Sequence, residues 1–79
     1  MSDVHKNYLF DLGYQLREQA LEAKERRQQA RGTDNEDFES GRATAYYEIM
    51  SLLASQAESF HLPIEDLHLE GFDPDRDLL

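Results

Sequence analysis

Few residues in this chain are equipped for chemistry, and they fall into four groups. The three histidines, His5, His61 and His68, are the only soft metal ligands, because the sequence has no cysteine. If the chain folds back on itself, His5 and His61 reach the same end, with Asp3 and Glu58 nearby. Two imidazoles and two carboxylates form a zinc donor set. The inward Glu-x-x-His pairs of di-metal bundles are missing, so the histidines read as ordinary polar residues, and neither metal nor cofactor is expected. The second group is Arg42, Tyr46 and Tyr47. Arg42 and Tyr46 are four residues apart, on one face of a helix, where a guanidinium and a phenol could orient a small anion. The plainer reading buries a tyrosine ring while its hydroxyl hydrogen-bonds, and lays the Arg42 stem over apolar surface with Glu22 or Glu39 as ion partner. No nucleophile elbow, phosphate loop or His-Glu zinc motif accompanies them, and no enzyme is expected.

The third group is basic: Lys24, Arg26, Arg27 and Arg31. Such a cluster can grip a phosphate backbone, but no aromatic residue interleaves with it to stack a base. Cations also belong in the last turns of a helix, opposite the acids Asp34, Glu36, Asp37 and Glu39 that open the next one. The fourth group is acidic: Glu65, Asp66, Glu70, Asp73, Asp75 and Asp77. The formal charge is −9 over 79 residues; residues 1–33 sum to +1 and residues 34–79 to −10. A field of that sign repels nucleic acid at long range. The acids suit either a decoy for a basic partner or a solvated tail that keeps a small protein dispersed.

The elements that must position these groups follow from only four glycines and two prolines. The chain holds one small domain, expected to span residues 1–72. Helix formers fill the stretch up to Arg31, with Ser2 or Asp3 as cap and Gly32 as terminator, so a first helix is expected over about 3–31. Thr33 and Glu36 have capping-box spacing after a loop at 32–33, opening a second helix over about 34–61. Pro63 stops it and opens a short helix over about 63–70, ended by Gly71. Residues 73–79 read as a frayed acidic tail whose removal should leave the melting temperature unchanged.

Two long helices of similar length and a short loop make an antiparallel hairpin, so the fold is expected to be all-α. Steps of three and four residues suggest a seam of His5, Leu9, Leu12, Leu16, Ala20, Ala23 and Arg27 against Phe38, Arg42, Ala45, Ile49, Leu53, Gln56 and Phe60. That pairing places Leu16 opposite Ile49 and Ala20 opposite Ala45. The seam leaves a second apolar stripe on each helix: Phe10 and Tyr14 on the first, Tyr46, Met50 and Ala57 on the second. Between Ala43 and Ala57 the only charge is Glu48, so this helix is buried on more than one side. The expected solution is a homodimer, two hairpins forming a four-helix bundle through Phe10, Tyr14, Tyr46, Met50 and Ala57. The alternative cover is the chain's own C-terminal segment.

Functionally, excess apolar helix surface without a chemical site points to a non-enzymatic protein–protein interaction protein, an adaptor or regulator acting as a homodimer. Ile64, Leu67, Glu65 and Asp66 are candidates for binding a further protein, an acidic-rimmed apolar patch beyond the seam; the same leucine and isoleucine could instead seal the open end. Two alternatives are an acidic inhibitor or immunity-type nucleic-acid mimic, and an RNA-binding hairpin dimer using the basic cluster. No span is uncharged long enough to cross a bilayer, and Asp3, His5 and Lys6 argue against a signal peptide. The expected location is cytoplasmic.

Overall fold

The computed structural model describes residues 3–79; the expected Ser2 cap lies outside them. Helix α1 spans Asp3–Gln29 and helix α2 spans Glu36–Ser59, followed by a 3-10 turn at Ile64–Leu67 and a short helix α3 at Pro74–Leu78. The described residues are helical without strands, and α1 and α2 pack along each other as a hairpin 47 Å long and 21 × 17 Å across.

The connection between the long helices is wider than the two residues expected. Thr33 does not cap α2; its hydroxyl donates to the Ala30 carbonyl at 2.6 Å and accepts from Asn35 N–H at 3.3 Å. Glu36 does reach back to an orphan amide, accepting from Gly32 N–H at 3.0 Å. The capping-box residues therefore finish α1 as much as they start α2. Helix α2 ends in a Schellman motif. His61 is left-handed (φ 57°), Leu62 N–H donates to Ala57 O at 2.8 Å, and His61 N–H donates to Glu58 O at 3.1 Å. This closure turns the chain back over the hairpin, ahead of Pro63.

The interior differs in rotation from the seam suggested by the largest side chains. On α1 the buried positions are Gly13, Ala20 and Ala23, flanked by half-buried Leu9 and Leu16; the two alanines and two leucines were expected in the seam and Gly13 was not, while His5 and Leu12, also placed there, are exposed. On α2 they are Ala43, Met50 and Ala57. Phe38, Ile49 and Phe60, proposed for the seam, are 69%, 41% and 72% exposed. The physical reason is distance: alanines and a glycine let helix backbones approach closely, whereas phenylalanines would hold them apart. The axial stagger survives this rotation, because Tyr46 donates its hydroxyl to Gln19 Oε1 at 2.7 Å, a pair at the level the expected register implies.

Residues 73–79 are not a frayed tail. Asp73 caps α3, its carboxylate accepting from the N–H groups of Asp75 (2.9 Å) and Arg76 (3.5 Å), and Pro74 occupies the first helical position. Aspartate followed by proline is a strong helix start. Leu78 then buries to 2% exposure beside Leu67, Leu69, Met50, Ala57 and Ala20. Residues 62–79 form a lid across one side of the hairpin.

Candidate functional site

The lid lies over the stripe that the sequence assigns to a dimer. Met50 is fully buried and Ala57 is 2% exposed, both within one chain, so neither is free to meet a second copy. The covering layer is the chain's own, because Leu67, Leu69 and Leu78 remove the same apolar surface from water without a partner. Phe10 and Tyr14 also turn toward the lid. The Phe10 ring stacks on His68 with centroids 4.3 Å apart, and Tyr14 lies tilted against the same imidazole at 5.1 Å. Tyr46 is half-buried between the helices. Of the four partner-binding candidates, Leu67 is 5% exposed and seals the core, while Ile64 stays 39% exposed. Glu65 and Asp66 border a surface hollow of about 320 Å³ with Lys6, Asn7 and Phe10.

Three cations of α1 fasten the lid by its backbone. Arg17 donates to His68 O at 3.1 Å, Lys24 to Asp77 O at 2.9 Å and Arg27 to Leu78 O at 3.3 Å. The latter two satisfy carbonyls at the end of α3, where positive charge is favoured. Half of the basic cluster is thereby occupied; Arg26 pairs with Glu22 at 3.0 Å, an exposed contact worth little. The guanidinium of Arg17 also lies 5.7 Å from the centre of the Phe72 ring.

The lid backbone comes close to α1 at Gly13. A Cβ built there would lie 1.9 Å from the Leu67 carbonyl oxygen and 2.8 Å from its carbon. Only glycine admits the lid backbone to this depth. An isolated glycine within a long run of helix formers is the sequence signal for such an approach.

The Arg42–Tyr46–Tyr47 group does not converge on an anion site. Arg42 sits 5.3 Å from the Tyr46 ring centre, Tyr46 bonds Gln19, and Tyr47 donates its hydroxyl to Asp75 on α3. That last bond holds the Tyr47 phenol above its usual pKa range, since the carboxylate accepts from the protonated form. Among the described residues no ion pair joins Arg42 to Glu22 or Glu39. Nor do three or more His, Asp or Glu of the described residues gather where a metal could bind. His61 and His68 instead occupy left-handed turn positions, at φ 57° and 58°.

The acidic residues of α3 are used within it. Asp77 is held down to a pKa of about 2, first by its hydrogen-bonded pairing with Arg76, then by accepting from Asp73 N–H at 2.9 Å. A depressed carboxylate stabilises the fold above its ordinary value near 3.8 and ceases to do so as pH falls through about 2. Acid should therefore loosen α3 between those values. The protection of the residue 75–78 amides relative to their intrinsic exchange rates is expected to fall over this interval, and Asp77→Asn should flatten the response; protection that does not change with pH in the native chain would refute the role.

With one side of the hairpin covered, the opposite side remains. Val4, Tyr8 and Leu12 recur every four residues on α1, and Ile49, Leu52 and Phe60 follow helical spacing on α2. All six are exposed, from 37% at Leu12 to 75% at Val4. In an antiparallel hairpin the two stripes run side by side, and together they form an apolar face of the kind that marks interaction sites. Comparison with known proteins finds no matching family model, no matching curated protein and no matching solved structure. Among the described residues no helix is long and apolar enough to cross a membrane.

Proposed function

We propose that this chain is a non-enzymatic, acidic protein–protein interaction protein, an adaptor or regulator, that works through the hairpin face opposite the lid. The observation that carries this reading is the contrast between the two faces. The chain closes one with eighteen of its own residues and leaves Tyr8, Leu52 and Phe60 on the other at 65%, 59% and 72% exposure. Scattered exposed leucines need no explanation, but two aligned stripes do. The complementary surface is an apolar helical one, and a four-helix bundle of two hairpins is the simplest assembly with this face at its centre.

A nucleic-acid role is less well supported, since Lys24 and Arg27 are engaged by the lid. A decoy role for the acids is also weakened, because Asp73, Asp75 and Asp77 already hold α3 and Tyr47.

The test is Leu52→Glu. Because Leu52 is exposed in the single chain, the variant should fold with a stability change within about 0.5 kcal/mol. Tagged native and variant chains are then recovered from the source cells, and the associated proteins, including untagged copies of the chain, are compared by mass spectrometry. Loss of an associated protein from the folded variant is expected. Retention of every one would sink this reading.

A further inference from the structure

The lid has two halves, held in different ways. Its first half, residues 62–69, is set into the hairpin. Leu67 and Leu69 are 5% and 3% exposed, the Leu67 backbone lies against Gly13, and His68 stacks on Phe10. The second half, residues 72–79, is closed mainly on itself. Asp73 caps α3, Asp77 accepts from Asp73 N–H at 2.9 Å, and Arg76 pairs with Asp77 and donates to Gly71 O at 2.6 Å. None of these bonds reaches the hairpin.

What does reach it is slight. Leu78 is the buried side chain of this half, and Phe72 is half-buried near Arg17. Three hydrogen bonds add to them: Lys24 to Asp77 O, Arg27 to Leu78 O, and the Tyr47 hydroxyl to Asp75. Between the halves stands Gly71, exposed and left-handed at φ 75°, with nothing within 4 Å of an added Cβ. A left-handed glycine in open space can turn without a clash.

We propose that residues 72–79 are a releasable plug, swinging out about Gly71 while the rest of the fold stays closed. The groove they leave takes a segment of another protein with the plug's own chemistry, a short acidic helical turn carrying a leucine at its C-terminal end. This site is separate from the hairpin face opposite the lid.

The occupant's chemistry is read from the plug already seated there. Lys24 and Arg27 donate to main-chain carbonyls rather than to side chains, so any helix end with free carbonyls satisfies them. Lys24 also helps to hold Asp77 ionised, so negative charge suits this groove although the whole chain carries −9. Beneath lie Ala20, Met50 and Ala57, an apolar floor on which Leu78 packs.

Release is easier than unfolding because little of the core leaves with the plug. One buried leucine and three edge hydrogen bonds favour closure by about 30–1,000-fold. The folded state of a small domain is favoured by upwards of about 5,000-fold. Elements with so few buried contacts open on their own.

Two measurements on the full chain test this. In native-state hydrogen exchange, the amides of residues 75–78 should be protected about 30–1,000-fold, and those of residues 14–24 at least about tenfold more. Equal protection would mean that the plug leaves only when the whole chain unfolds, and would overturn the proposal. The probe for the groove is a fluorescent peptide of residues 72–79. Leu78→Ser weakens the chain's own plug, so this variant should bind the peptide at roughly 0.1 mM, and about tenfold or more tighter than the native chain does.

The peptide bearing Leu78→Ser should bind this variant about tenfold less tightly, as should the native peptide once Lys24→Gln and Arg27→Gln are added to the chain. Leu52→Glu, on the opposite face, should change nothing. Absence of binding at about 1 mM peptide would overturn the groove, and binding abolished by Leu52→Glu would move it to the other face. Loss of the helical fold in Leu78→Ser would show that the plug is no separate unit.

Discussion

Gly13→Ala is expected to destabilise the protein by about 2–4 kcal/mol, although alanine in a helix interior normally gains up to about 1 kcal/mol over glycine. The added methyl would overlap the Leu67 carbonyl, a backbone group that cannot rotate away. The 3-10 turn must lift, and Leu67 and Leu69, now 5% and 3% exposed, would return toward water at roughly 1.5–3 kcal/mol for each side chain fully exposed. Gly41→Ala is the internal control. It too lies within a helix, but nothing approaches within 4 Å of its added Cβ, so it should stabilise by about 0.5–1 kcal/mol. Thermal melts of the two variants should move in opposite directions. Equal, favourable shifts would show that the lid does not rest on Gly13.

Deletion of Asp73–Leu79 is expected to cost about 2–4 kcal/mol, a large share of the 5–15 kcal/mol of a small domain. Leu78 alone removes a full leucine side chain from water. Lys24 and Arg27 lose the carbonyls they bond, and Tyr47 loses Asp75. A melting temperature lowered by on the order of 10–20 °C follows for a chain of this size. An unchanged melt would restore the view of this segment as a loose tail.

The tail is where sequence reasoning had the signal and weighed it wrongly. Six acids in a short stretch look like a solvated terminus, but an aspartate followed by proline is a helix start, and Leu78 follows one turn later. Composition describes a segment in water; capping describes what its backbone does. The long helices were legible because few glycines or prolines interrupt them and Pro63 marks a stop. The rotation of α2 was not. Apolar periodicity ranks Phe38, Ile49 and Phe60 above Ala43, yet close helix packing selects the small side chains. The stripe of Tyr46, Met50 and Ala57 was recognised as buried but given to a second chain. Nothing in spacing alone distinguishes a cover supplied by the same chain from one supplied by a copy. Gly13 carried a local signal, its isolation within α1, but not the identity of the backbone that approaches it.

Rotation also moves the candidate site. Phe10 and Tyr14, expected at an interface, lie on α1 against His68 of the lid, Phe10 stacked on the imidazole and Tyr14 tilted to it. Leu12, Ile49 and Phe60, expected in the seam, are released to the opposite face. The number of apolar stripes was right, and their assignment to inside and outside was exchanged on α2. This exchange decides function, since the surface offered to a partner is whichever stripe the lid leaves bare.

The most direct test of this account asks which face meets which chain. Nuclear Overhauser contacts are recorded on an equimolar mixture of isotope-labelled and unlabelled protein, with filtering that separates contacts within a chain from those between chains. The Met50 methyl should contact the methyls of Leu67, Leu69 and Leu78 within its own chain only, and contacts between chains should involve Leu12, Ile49 and Leu52. Contacts from Met50 to a second chain, with residues 74–79 showing none to the core, would contradict it.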